Sequence, residues 1–211
     1  MKKEFSFYEF VGLIVPSVIL LYSVQLLIFN GKGDHFFDSA KLGDSAIFIV
    51  ISYGIGHILQ FLGEKYARFI WKKYFGSEPT QWLTTPNHQG KLLFYDDAFN
   101  TEVATRIKVK FPHTVGDYGP LTYNYLFQNN KTARIDIFNG NYSLFRGLSI
   151  SFLTVALVSI FTLNWFFAVI AIVLFVISGF GMVAFGRYYA TEVFRTFYNA
   201  QDAPPVKDIK H

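Results

Sequence analysis

"GLSISFLTVALVSIFTLNWFFAVIAIVLFVISGFGMVAFG", Gly147 to Gly186, is forty residues long and carries no charged side chain. As one helix it would extend about 60 Å at about 1.5 Å per residue. The hydrocarbon core of a bilayer is only about 30 Å thick. The run therefore predicts a crossing, a reversal and a second crossing. Asn164-Trp165 is the expected turn, because Asn tolerates turn geometry and Trp favours the membrane interface. This places one span at about 148–163 and the other at about 166–186.

Two further apolar runs lie towards the N-terminus. Phe10 to Gly31 is uncharged and contains Pro16, a kink that membrane helices tolerate. Met1-Lys2-Lys3 ahead of it resembles the start of a signal peptide. The run is long, contains proline and lacks a small-x-small cleavage site before Asn30, so it is read as a retained span at about 10–29. The second run, about 45–63, ends at Gly63. The fold class expected is an all-α integral membrane protein with four transmembrane helices, two N-terminal and two in a C-terminal hairpin, and a small, mainly helical cytosolic domain.

Composition points the same way. Of 211 residues, 52% are hydrophobic and only 16% charged, with 25 Phe and 13 Tyr. Soluble domains carry roughly 25% charge. There is no Cys, which excludes disulfides, thiolate metal sites and cysteine nucleophiles. The net charge of +4 would suggest nucleic acid in a soluble protein. Here its distribution matters more. Of nineteen Lys and Arg residues, the loop between the first two spans holds only Lys32 and Lys41. Lys65, Arg68, Lys72 and Lys73 follow the second span, Arg146 precedes the third and Arg187 follows the fourth. These membrane-edge bases put residues 64–147 and both termini in the cytoplasm by the positive-inside rule. The expected location is a bacterial inner membrane, and nucleic acid is not the expected partner. Residues 1–63 form the N-terminal membrane region, 64–147 the cytosolic domain, 148–186 the hairpin, and 187–211 a cytosolic helix and tail.

Within the cytosolic segment, "EKYARFIWKKYFG" is expected to continue the second span as a helix stopped by Gly76 and Pro79. "SEPTQWLTTPNHQGK" reads as a loop. "YDDAFNTEVATRIKVKF" and "PLTYNYLFQNN" read as helices, the second with Pro120 in its first turn. "KTARIDIFNGNYSLFRG" reads as helix with a break at Gly140. Tyr66, Trp71, Tyr74, Tyr188, Tyr189, Phe197 and Tyr198 fit interfacial anchors.

"SYGIGHILQFLGEKY", Ser52 to Tyr66, sets a polar stripe into an apolar helix. Tyr53, His57, Gln60 and Glu64 are spaced to share one face, with Arg68 one turn on. His57 lies about 9 Å inside Gly63 at helical rise. Ser52 and Gly56 form a small-xxx-small pair that permits close helix contact. Three readings stand side by side. The stripe packs against other helices, or it lines a water-filled path between several copies, or His57 is a ligand or proton shuttle. His57 and Glu64 are two turns apart, too far to chelate one ion from one straight helix.

No motif for phosphate loops, nucleophile elbows, dinucleotides or zinc proteases is present. The alternative chemistry is a membrane-tethered metal hydrolase built from His88, His113 and Asp117 among residues 88–117. Its structural counterpart is a turn-capping Asp beside surface His residues. No cofactor is expected. "YGIGHILQFLGEKY", "YSLFRGLS" and "RYYATEVF" within this layout resemble the four-span membrane accessory proteins that accompany type VI CRISPR effectors. The resemblance covers span layout, and no site residue transfers with it. It implies an oligomeric membrane component of antiphage defence that acts on the envelope or modulates a nuclease. The function expected is that of a non-enzymatic, homo-oligomeric effector or accessory, pore-forming or membrane-perturbing, whose partners are the bilayer and a cytosolic protein. A pure scaffold is the remaining alternative.

Overall fold

The computed structural model describes residues 7–29, 42–112 and 117–202. Among them every regular element is a helix: α1 Phe7–Phe29, α2 Leu42–Ile70, α3 Asp97–Lys110, α4 Gly119–Gln128, α5 Ala133–Phe161 and α6 Trp165–Asp202. A π-helical turn, Trp71–Phe75, continues α2, and a short 3-10 helix spans Pro79–Leu83. Four helices, α1, α2, α5 and α6, are long and apolar enough to cross a membrane. The loop holding Lys32 and Lys41, the N-terminal Met1-Lys2-Lys3, His113 and the tail beyond residue 202 lie outside the described residues.

Helix boundaries follow local chemistry. Asp96 caps α3 by accepting from the Ala98 and Phe99 backbone N–H groups. Pro120 sits in the first turn of α4, where its missing N–H costs nothing. The segment expected to be loop after Gly76 contains the 3-10 turn, with Pro79 at its start. Gly76, at φ +84°, ends the π-turn and donates to the Lys72 carbonyl. Gly140 does not break α5. It is buried within the helix, where a glycine costs only about 1 kcal/mol relative to alanine.

The reversal in the forty-residue run occurs at Thr162–Asn164, and the left-handed residue is Leu163 (φ 56°), not Asn164. The Asn164 N–H reaches the Ser159 carbonyl at 2.8 Å and the Leu163 N–H reaches Ile160 at 3.1 Å. This six-to-one and five-to-two pair is the Schellman closure, which satisfies the last carbonyls of α5. Asn164 serves α6 instead, its carbonyl accepting from Ala168 N–H at 3.1 Å. Trp165 is 61% exposed as the first residue of α6.

The chain forms two compact units. The first contains α1 with residues 42–69, 139–161 and 165–185 of α2, α5 and α6. Its helices touch through small residues. A Cβ at Gly56 would fall on the Leu13 carbonyl oxygen, and one at Gly147 would come within 2.8 Å of the Pro16 ring. Leu27, Val155, Ala156 and Ala171 form a buried cluster joined by Leu20 and Val158. The outward faces are strongly apolar: Val50 is 71% exposed, Phe166 and Phe180 each 72%. So much exposed apolar surface suits lipid rather than water.

Among the described residues the second unit comprises 70–112, 117–138 and 186–202. Trp71, Trp82, Phe194 and Phe197 fill its core with Val103, Ile107, Leu126 and Ile135. The Trp71 and Trp82 rings meet edge-on at 5.7 Å. Trp71 and Phe197 are therefore core residues, not interfacial anchors. The aromatic density that resembled a membrane belt at these positions builds a hydrophobic core, where each ring buries a large area.

Candidate functional site

The first unit is organised around a proline. Pro16 has no N–H, so in α1 the Gly12 carbonyl loses its helical partner. Gln60 of α2 replaces it: its Nε2 donates to the Gly12 oxygen at 2.7 Å and to the Ser143 oxygen at 2.8 Å. Its Oε1 accepts from Arg146 Nε at 3.2 Å and Nη2 at 2.8 Å. One neutral side chain thus joins α1, α2 and α5. Ser151 Oγ adds a bond to the Pro16 carbonyl at 2.9 Å. Arg146 also lies over the Tyr142 ring at 5.2 Å. Its side chain packs against Gly63, where a Cβ would come within 2.7 Å of the Arg146 Cγ.

The remaining stripe residues do not join this junction. The buried face of α2 is Ser52, Gly56, Leu59, Gly63 and Ala67, the four-three spacing of a packing seam. Gly56 and Gly63 are its points of closest approach. The Ser52 hydroxyl is buried with no hydrogen-bond partner among the described residues. Tyr53 and His57 are exposed about a quarter-turn from that seam, their rings edge-on at 4.7 Å. Exposed Ile47, Val50, Ile51, Ile58, Phe61 and Leu62 surround them along the helix. Beside them Gly54 is open: an added Cβ would meet nothing within 4 Å. Glu64 forms an ion pair with Arg68, both partly exposed.

The basic residues divide by role. Lys65 lies over the Phe61 ring at 5.4 Å, Lys73 over Tyr74 at 5.6 Å and Arg187 over Trp82 at 5.7 Å. Lys72 is exposed. In the second unit the largely buried Glu192 pairs with Arg134 at 3.2 Å.

The candidate hydrolase residues are used otherwise. Asp117 accepts from Gly119 N–H at 2.8 Å and from Thr80 Oγ1 at 2.8 Å, so both carboxylate oxygens are engaged in holding the start of α4. His88 is exposed and packs beside Gly76. No group of three His, Asp or Glu side chains converges among the described residues.

Sequence reasoning passed over Gly12, Ser143 and Ser151. The signal for Gly12 was available: a proline within a helix leaves the carbonyl four residues earlier in need of a donor, and Gln60 is a donor within the neighbouring apolar helix. The contacts of Ser143 and Ser151 depend on helix packing that spacing alone does not give. No protein-family model, no functionally described protein and no solved structure matches this chain.

Proposed function

We propose that this chain is a non-enzymatic membrane protein of the inner-membrane type that works as a homo-oligomer, an effector or accessory that alters membrane permeability. The Tyr53–His57 face of α2 turns towards neighbouring copies. The second unit, on the cytoplasmic side, docks a partner protein. The observation that carries the reading is His57 itself: a polar ring midway along an apolar helix, exposed among Ile58, Phe61 and Leu62. Polar side chains at membrane depth face protein or water, because hydrocarbon offers them no hydrogen bond. Within one copy α2 packs through Ser52, Gly56 and Gly63, so protein or water for His57 comes from another copy. A neutral imidazole has one donor and one acceptor. It therefore pairs with itself across a symmetric seam, and open Gly54 lets two such helices approach closely.

The test is purified protein in nanodiscs and in liposomes. Mass photometry is expected to give one discrete oligomer, and liposomes to leak ions. His57→Leu and Gly54→Ile are expected to shift the population to smaller species and reduce the leak together. A stable monomer that leaves the liposomes tight contradicts the proposal.

A further inference from the structure

The second unit contains a cleft of about 200 Å³ lined by residues 90–95, Asp97 and Arg187. Arg187 lies over the Trp82 ring at 5.7 Å. Packing against an aromatic face restrains the guanidinium and leaves its N–H donors free to bond elsewhere. Neither Arg187 nor Lys91 has an ion pair or side-chain hydrogen bond among the described residues. Asp97 is the single acid among the described lining residues, so these side chains carry a net positive charge.

Its walls are fixed before any ligand arrives. Trp82 is buried and donates its indole N–H to the Ser77 carbonyl at 3.1 Å. The Leu93 N–H bonds the Trp82 carbonyl at 3.0 Å. Asn87 Oδ1 accepts from the Gln89 and Lys91 N–H groups at 2.9 and 3.0 Å. Buried Asn100 holds the other end, donating to the Phe94 and Asp96 carbonyls at 2.8 and 2.9 Å and accepting from Phe94 N–H at 3.2 Å. A planar fork and a point charge on a rigid frame suit a tetrahedral oxyanion. Drug-sized ligands occupy about 300–1,000 Å³, so this cleft suits a phosphate with a few attached atoms.

We infer that the Lys91–Arg187 cleft binds a phosphate group, either of an anionic phospholipid headgroup or of a soluble phosphate ester. The lipid source rests on the membrane reading given above; the phosphate chemistry does not. Arg187 is the first charge after the uncharged run that ends at Gly186. Tyr95 on the cleft wall is 98% exposed and Tyr188 is 54% exposed, as aromatic side chains at a headgroup layer are.

The experiment uses the full chain in neutral nanodiscs with a minor fraction of phosphatidylglycerol, with retained lipid counted by native mass spectrometry. Tryptophan fluorescence of the detergent-purified chain is titrated separately with glycerol 3-phosphate and inorganic phosphate. Arg187→Gln and Lys91→Gln are compared with Lys108→Gln, which alters an exposed lysine of α3. Should Arg187→Gln fail to fold, Lys91→Gln and Arg187→Lys carry the test. Retained phosphatidylglycerol lost about tenfold in the cleft variants but not in Lys108→Gln supports the site with a lipid source. A saturable fluorescence change with glycerol 3-phosphate or phosphate that the cleft variants abolish supports the site with a soluble source. Equal lipid retention in all variants with no phosphate response, or equal loss in Lys108→Gln, overturns the inference. Neither readout depends on permeability, so failure here leaves the oligomer proposal standing.

Discussion

Gln60 donates its side-chain N–H to the Gly12 carbonyl at 2.7 Å, the carbonyl that Pro16 leaves without a helical partner. The carbonyl left free by a proline in one helix is thereby satisfied by a polar residue in another. This explains a glutamine inside an apolar helix without assigning it chemistry.

The relationship predicts a coupling. Gln60→Leu orphans the Gly12 carbonyl and the Arg146 donors, and is expected to cost about 2–3 kcal/mol. In a Pro16→Ala background residue 16 regains an N–H for Gly12, so the same change is expected to cost less. A double-mutant cycle from thermal or SDS unfolding in micelles measures the difference. Purely additive costs would mean that the two residues act independently.

Two glycines one half-turn apart on α2 are expected to behave oppositely. Gly56→Ala drives a methyl onto the Leu13 carbonyl, and is expected to lower monomer stability by about 1–3 kcal/mol. Gly54→Ala meets open space. It is expected to leave monomer stability within about 1 kcal/mol of the parent, helix propensity being slightly in its favour. Unfolding in a detergent that keeps the protein monomeric reads both.

These glycines also mark how far spacing alone could be read. The apolar lengths of the helices were legible because bilayer thickness and helical rise are fixed quantities. The face of α2 that packs was legible only in the Ser52/Gly56 spacing. The stripe Tyr53, His57, Gln60 and Glu64 is one face by periodicity, yet it is Gln60 that ties α2 to α1 and α5. The buried face, with Ser52, Gly56 and Gly63, lies about a quarter-turn away. In a membrane helix both the lipid face and the packing face are apolar, so hydrophobicity does not separate them; residue size does. Trp71 and Phe197 misled for a related reason. An aromatic residue at the end of an apolar run has the same composition whether it meets headgroups or a protein core. The Schellman turn at Leu163 was hidden because a left-handed Leu is uncommon, and Asn164 next to it looked the better candidate.

In the second unit, Asn100 should matter out of proportion to its size. It makes three hydrogen bonds to the Phe94 and Asp96 backbone from a site only 1% exposed. Asn100→Ala is expected to cost about 2–3 kcal/mol. Asn100→Asp is expected to cost at least as much, because a carboxylate cannot donate to the two carbonyls. Thermal unfolding followed by tryptophan fluorescence checks this, and a cost below about 0.5 kcal/mol for both would contradict it.

Membrane topology underlies the whole reading, and the absence of cysteine makes it directly measurable. Thr162→Cys places a thiol in the hairpin turn, and Val109→Cys places one on α3 at a position 77% exposed. Each single-cysteine protein is expressed in a bacterial host and treated with a membrane-impermeant maleimide in intact spheroplasts. The account predicts labelling of Thr162→Cys in intact spheroplasts and of Val109→Cys only after lysis. Labelling of Val109→Cys from outside, with Thr162→Cys protected until lysis, would contradict it.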